Sequence, residues 1–489
     1  MTHRRIGQIE LLQLLGDWSS GSGPLYKQLA DAIRKLIDVG DLRPGTRLPS
    51  ERALSSILAV ARSTVVAALD HLKQTGYLES APGSGTWVRA LRGFNPAGGV
   101  LTPADTVGRN PLYTRLDAPP SDDLVDFTVA VVDATPSVTA AIDRASRELA
   151  ASLDGSGYYP SGWPPLQEAV AAWFTRRGLP TEPSEILITN GGQQAIMLVA
   201  AAYVQPGDPV VMETPSFPGA LDAFRMLGAS VRAVPVRPTG LEADDVVEAI
   251  DARRAVITYL IPTYQNPTGR VMSHLERKRL ARYLDSRSTV LVEDEAMVAL
   301  TLEGDAPPPP IAAYHDGGLV IGSASKPFWG GLRVGWIRGR SDLIRRLRHY
   351  KMVFDLSSPI LPQAAACLMF EEMEEILAYR RQQLLEARAT LEEGLSGLLP
   401  EWTWERSSGG LTLWVQIPEG SATELAQLAM RHGVAVIPGP FFDPQALHDT
   451  SLRLPYVLPP DEIERGITRL AEAWNRYRGL PALRSIRPA

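Results

Sequence analysis

The chain has 489 residues, 45% hydrophobic and 21% charged, with 49 Lys+Arg against 55 Asp+Glu for a net charge of −6. That length exceeds one ordinary core and suits two or three domains, and the composition is that of a globular protein, not a disordered or fibrous one. A single cysteine, Cys367, excludes an intramolecular disulfide framework and fits a reducing compartment, and no apolar run reaches the length of a membrane span.

The opening MTHRRIGQIELLQLLG sets basic residues before apolar ones, but Glu10 interrupts the run and no small-residue cleavage site follows. A signal peptide is therefore not expected, and a cytoplasmic protein is. Residues 1–90 hold 11 basic and 8 acidic side chains while the remainder is acidic, a mild hint that one end meets a polyanion.

Residues 24–88 read as three short helices and a hairpin. PLYKQLADAIRKLIDVG carries Leu25, Leu29, Ile33, Leu36 and Ile37 at helical spacing and closes at Gly40. Ser50 caps a second helix through ERALSSIL. AVARSTVVAALDHLKQTG gives a third, with Val65, Leu69 and Leu72 facing inward and Gly76 closing it. YLESAPGSGTWV reads as two strands about a Pro-Gly-Ser-Gly turn. Together these make a winged helix-turn-helix over residues 1–89. The third helix would enter the major groove of double-stranded DNA with Arg62, Ser63 and Thr64 leading. Arg52 and the wing Gly83, Ser84, Gly85 and Thr86 would meet the backbone. On pattern alone, a packing module that never touches nucleic acid stands beside this reading.

Residues 90–124 are rich in Gly, Pro and Asp, without periodicity, and read as a linker. From residue 125 to 489, short β-branched runs (DPVVME, AVITYL, TVLVEDE, GLVIG) alternate with longer amphipathic stretches. That alternation predicts an α/β domain with a mostly parallel, doubly wound sheet, whose ligands gather at the carboxyl ends of the strands.

Polar clusters stand at those ends. Asn190, Gly191 and Gly192 lie between a strand and a helix, where glycines let backbone N–H groups approach a phosphate; taken alone, they read first as a plain glycine turn. Phe217 would stack on a ring or belong to the core. Asn266 would donate to a phenolic oxygen or mark an Asn-Pro turn. Asp294 would pair with a pyridine nitrogen or sit in a solvated acidic loop. Ser323-Ala324-Ser325-Lys326, with Arg333 seven residues on, suits pyridoxal 5'-phosphate: an imine-forming lysine, and two hydroxyls and a guanidinium for the phosphate. No metal site is expected.

In this order and spacing, residues 125–489 resemble the class I aminotransferases of fold type I. The resemblance implies Lys326 as the internal aldimine, Asp294 on the pyridine nitrogen, Asn266 on the ring oxygen, and Ser323, Ser325 and Arg333 on the phosphate. It also implies Arg453 in TSLRLPY as a binder of a ligand carboxylate, and Tyr158 as a residue reaching the other subunit's cofactor, hence a homodimer. Relatives commonly place a tyrosine two or three residues after the aspartate, where this chain has Ala296 and Met297, a departure that bears on turnover.

The N-terminal region, with GDLRPGTRLPSERAL and GSGTWV, resembles the GntR-type winged helix. The two resemblances in this order are similar to the MocR/GabR subfamily of bacterial regulators. They imply a pyridoxal-phosphate-dependent DNA-binding regulator that senses the cofactor or a small amino compound through Lys326. The competing expectation is an active aminotransferase with an accessory DNA-binding domain.

Overall fold

A computed structural model of the chain describes residues 5–19, 23–38, 41–42, 44–81, 85–89, 115, 123–151 and 155–479. Nearly all of the expected linker, and Gly83 and Ser84 of the wing, lie outside the described residues.

The N-terminal domain begins with a helix that the sequence reading did not anticipate, α1 (Gln8–Leu15), and continues with α2 (Leu25–Asp38), α3 (Glu51–Ile57) and α4 (Arg62–Gln74). The expected stripe is its core: Leu29, Ile33, Leu36, Ile37, Val65, Leu69 and Leu72 are buried together with Leu11, Leu12 and Trp18 of the N-terminal segment. Leu25 is only partly covered. Ser50 caps α3 by accepting from the Ala53 amide at 3.3 Å. The third helix starts at Arg62, later than the AVARSTVV run suggested, because Ala59 turns at φ 48° and Ala61 is the extended residue before the first turn. Arg62, Ser63 and Thr64 therefore occupy the first turn itself. The hairpin β1 (Leu78–Ala81) and β2 (Gly85–Val88) pairs antiparallel beside it.

The second domain is built on β4 (Ile186–Thr189), β5 (Pro209–Thr214), β6 (Ser230–Pro235), β7 (Ile257–Leu260), β8 (Val290–Asp294), β9 (Leu319–Ser323) and β10 (Gly335–Arg338). Among the described residues they form a seven-stranded sheet in the order β4-β10-β9-β8-β7-β5-β6. All neighbours are parallel except β10, which runs antiparallel to both β4 and β9. Helices cover both faces. Packed on one are α5 (Gly192–Tyr203) and α6 (Pro218–Met226), through Ile196, Val199 and Phe224. On the other, Val246, Ile250, Leu280 and Leu284 pack under the sheet. Burial on both sides explains why these strands read as short apolar runs without alternation.

A smaller unit gathers the end of the chain around the strand β3 (Val125–Asp126). Its four-stranded sheet comprises β11 (Thr403–Trp404), β12 (Thr412–Gln416), β14 (Ile437–Pro438) and β15 (Ser451–Pro455). Between them come helix α7 (Ala422–Arg431) and strand β13 (Val434–Ala435), which pairs parallel with β3. The N-terminal domain rests on α7. Trp18 Nε1 donates to Gln427 Oε1 at 3.2 Å, Ser56 Oγ to Glu424, and Arg431 to the carbonyls of Leu58 and Ala59 at 3.1 and 2.6 Å.

Candidate functional site

The carboxyl ends of β5, β7, β8 and β9 open onto a cavity of about 480 Å³. Its wall brings together Gly192, Phe217, Asn266, Asp294, Ser323, Ser325, Lys326 and Arg333, eight of the residues that sequence reasoning singled out for a cofactor. All but Arg333 end or follow a strand, and Arg333 stands just before the antiparallel β10, so the sheet delivers them to one edge.

Lys326 lies beyond the end of β9, and its Nζ donates to the Ala130 carbonyl at 2.7 Å. Burial, with the positive charges of Arg453 and Arg333 against the pull of Asp294, brings its ammonium down to about 8. A lysine so placed carries a useful fraction of neutral amine near neutral pH. Asp294 ends β8 and is buried. Its Oδ2 accepts from the Tyr259 hydroxyl at 2.5 Å and its Oδ1 from the Ala296 amide at 2.9 Å. Burial raises its pKa, while those hydrogen bonds and Lys326 oppose the rise.

Beside Arg333, Gly191 takes φ +85°, and a Cβ there would come within 2.7 Å of the guanidinium. Arg333, itself left-handed at φ 51°, reaches back to the Asn190 carbonyl at 3.0 Å. Gly335 lets β10 lie against this turn: a Cβ on it would stand 2.5 Å from the Gly191 carbonyl carbon. The cradle thus consists of the N-terminus of α5, two serines and one guanidinium, a set matched to a phosphate dianion.

Pyridoxal 5'-phosphate fits these residues. Asn266 lines the same cavity as Phe217 and Asp294, and its buried amide oxygen has no protein donor. Two serines, a guanidinium and a helix N-terminus for the phosphate, an amine, a buried carboxylate, an amide with an unpartnered oxygen and an aromatic ring in one cavity match the polar groups and ring face of that cofactor.

Three other expected residues stand elsewhere. The Asn190 side chain does not line the cavity and donates to Asp355 at 2.7 Å, so it braces the turn that offers its carbonyl to Arg333. Arg453, on β15, is 3% exposed, donates to the Thr128 carbonyl, and faces the Phe442 ring with 5.1 Å to its centroid. Its Nε has no partner. Tyr158 is 64% exposed, outside the cavity wall.

Sequence reasoning missed Tyr259, whose hydroxyl serves Asp294 from the neighbouring strand, and the wall formed by Val129, Val131, Val132 and Trp329. The register of β7 against β8 sets Tyr259 beside Val292, two residues before Asp294; only strand pairing reveals it. Ala296 and Met297 also line the cavity, with no hydroxyl between them.

On the N-terminal domain, Arg52, Arg62 and Ser63 are exposed, and Thr64 and Thr86 half-buried. Arg62 meets Glu51 Oε2 at 2.9 Å while remaining 69% exposed, so the guanidinium is held at the start of α4 and faces water.

Comparison with known proteins agrees with this arrangement. The profile described as "Aminotransferase class I and II" matches residues 128–470, and "Bacterial regulatory proteins, gntR family" matches residues 25–88. The chain is 29% identical to an uncharacterized HTH-type transcriptional regulator, YisV, of Bacillus subtilis (strain 168), over 93% of this chain and 96% of that protein. It is 30% identical to the probable rhizopine catabolism regulatory protein MocR of Rhizobium meliloti, over 64% and 65% of the two chains. The crystal structure of LysN, the α-aminoadipate aminotransferase of Thermus thermophilus, complexed with N-(5'-phosphopyridoxyl)-L-leucine, superposes with a TM-score of 0.67 at 31% identity. That match covers 73% of this chain and 94% of LysN. The chain therefore belongs to the class I and II aminotransferase family, and the GntR-type domain that precedes it gives the two-domain arrangement of the MocR/GabR-type regulators.

Proposed function

We propose that this protein is a transcriptional regulator which binds double-stranded DNA through α4 and the wing, and whose DNA binding is set by the occupancy of the Lys326 cavity. The observation that carries this reading is the coexistence in one chain of a docked winged helix and a cofactor cavity with its full set of polar groups. Pyridoxal 5'-phosphate supplies an aldehyde for amines and a pyridinium that withdraws electrons. Lys326 holds the neutral amine for that aldehyde, Asp294 keeps a proton on the ring nitrogen, and Asn266 donates to the ring oxygen. Phe217 covers one face, and Ser323, Ser325, Arg333 and the amides of Gly191 and Gly192 hold the phosphate. Tyr259 keeps the Asp294 carboxylate aimed. Arg453, outside the cavity wall but near enough to Lys326 for its charge to lower that ammonium, would take the carboxylate of an amino-compound effector that displaces the Thr128 carbonyl.

A homodimer is supported by an exposed apolar cluster. Val353 is 88% exposed, Phe354 and Leu356 are both 55% exposed, and Ser357 next to them binds the Tyr159 backbone at 3.0 Å, which brings Tyr158 into the same patch. Apolar surface of that kind is ordinarily covered by a partner. Among the described residues no helix is long and apolar enough to cross a membrane, in keeping with a cytoplasmic protein.

The test is a visible absorbance spectrum with DNA binding measured on the same samples. A band that forms on adding pyridoxal 5'-phosphate and is lost in Lys326→Ala supports the reading. A protein that gains no band overturns it.

A further inference from the structure

The chain between β3 and the cavity touches everything the proposed sensor must connect. The Ala130 carbonyl accepts from Lys326 Nζ at 2.7 Å, and the Thr128 carbonyl accepts from Arg453. Val129, between those contacts, and Val131 and Val132, just after them, line the cavity. At its other end the segment is held by Asp126, whose Oδ1 accepts from the Thr128 amide and hydroxyl at 2.7 and 2.5 Å. Asp126 Oδ2 lies 3.4 Å from Arg115 Nε, and Arg115 Nη1 donates to Asp17 Oδ2 at 2.9 Å. Asp17 belongs to the N-terminal domain and precedes Trp18, which docks on Gln427. The Arg115 side chain is 11% exposed and its two partners about a quarter exposed, enough shielding for position to matter.

We propose that residues 126–132, with Arg115, form a relay that reports the occupancy of Lys326 and Arg453 to the N-terminal domain. This rests on the cavity being the cofactor site. A ligand carboxylate at Arg453, or a covalent occupant of Lys326 Nζ, competes with the carbonyls of Thr128 and Ala130 for the same donors. A buried carbonyl that loses its donor must find another or move. Movement at Thr128 re-aims Asp126, because one carboxylate oxygen holds both the amide and the hydroxyl of that residue. The other oxygen faces Arg115, and through it Asp17.

A second connection runs to the same place. Val125 and Asp126 pair with Val434 and Ala435 of β13, which follows α7 directly, and α7 is the helix on which the N-terminal domain rests. The ladder fixes the segment to the docking helix, while the Arg115 bridge ties it to Asp17. By linkage, DNA bound to the N-terminal domain must alter affinity at the cavity in the same proportion. A double-mutant cycle measures the coupling.

The experiment is amide hydrogen exchange on the full chain with and without pyridoxal 5'-phosphate, with the absorbance band recorded on each sample. In the wild type, the cofactor is expected to alter exchange in residues 126–132 and in residues 8–18 together. In Arg115→Ala and in Asp17→Asn the response at 126–132 should persist, while that at 8–18 falls at least threefold. The double variant should lose no more than either single one, and Arg115→Lys should keep part of the response. Asp17→Asn, nearly isosteric, decides the matter if Arg115→Ala exchanges globally. The relay is overturned if residues 8–18 respond equally in the variants, or if the wild type forms the band without any response there. If no band forms, the cofactor reading fails and the relay with it.

Discussion

Cofactor uptake should follow the protonation of Lys326. Burial, and Arg453 after it, bring that ammonium from the usual 10.5 to about 8. At pH 7 this leaves about a tenth of the amine neutral, compared with roughly one part in 3,000 for an ordinary lysine. Only the neutral amine attacks an aldehyde. The rate of band formation in stopped-flow absorbance should therefore rise about tenfold per unit below pH 7 and level off above about pH 8.5. Arg453→Gln removes the second cause of the shift, so its midpoint should move up and its uptake at pH 7 should fall. The same displacement has a sign for folding. Between pH 8 and 10.5 the unfolded lysine binds the proton that the folded one has released, so this group's contribution to stability increases with pH across that window. A rate that climbs with unit slope through pH 10, or a midpoint unmoved in Arg453→Gln, would refute the reasoning.

Tyr259→Phe removes the 2.5 Å donor from the buried Asp294. It should lower thermal stability by about 1–3 kcal/mol and weaken cofactor retention, as seen by equilibrium dialysis; unchanged values would remove Tyr259 from the site. Leu69→Ala opens the core of the N-terminal domain, where Leu69 is 1% exposed, at a cost of about 2–5 kcal/mol. DNA binding should be lost while the absorbance band stays. Arg62→Ala should weaken operator binding and reduce the slope of log affinity against log salt by about one. Glu51→Gln should strengthen binding, because it releases Arg62 from the contact at 2.9 Å.

Much of this architecture was legible from the chain because its elements obey local rules. Ser50 caps as a serine should, and the Leu29–Ile37 stripe is the core face. The residues of the cavity could be listed because a parallel sheet sends every strand's carboxyl end to one edge. What stayed hidden depends on pairing between distant segments. Tyr259 reaches Asp294 only through the β7–β8 register. Strand β10 runs against its neighbours, and Gly335 lets it lie close on Gly191, which no periodicity announces. Asn190 looked like a cofactor contact, but Asp355, 165 residues away, claims its amide. Helix α1 was not anticipated because eight residues are too few to establish a helical period, and only the packing shows Leu11, Leu12 and Leu15 covering the N-terminal core.

The most direct test of the account is a titration of pyridoxal 5'-phosphate into the full-length protein. Absorbance and the fluorescence anisotropy of a labelled promoter fragment would be followed together, for the wild type and Lys326→Ala. The account predicts that DNA affinity changes in step with the band in the wild type and stays constant in the variant. A band that saturates while DNA affinity remains flat would contradict it.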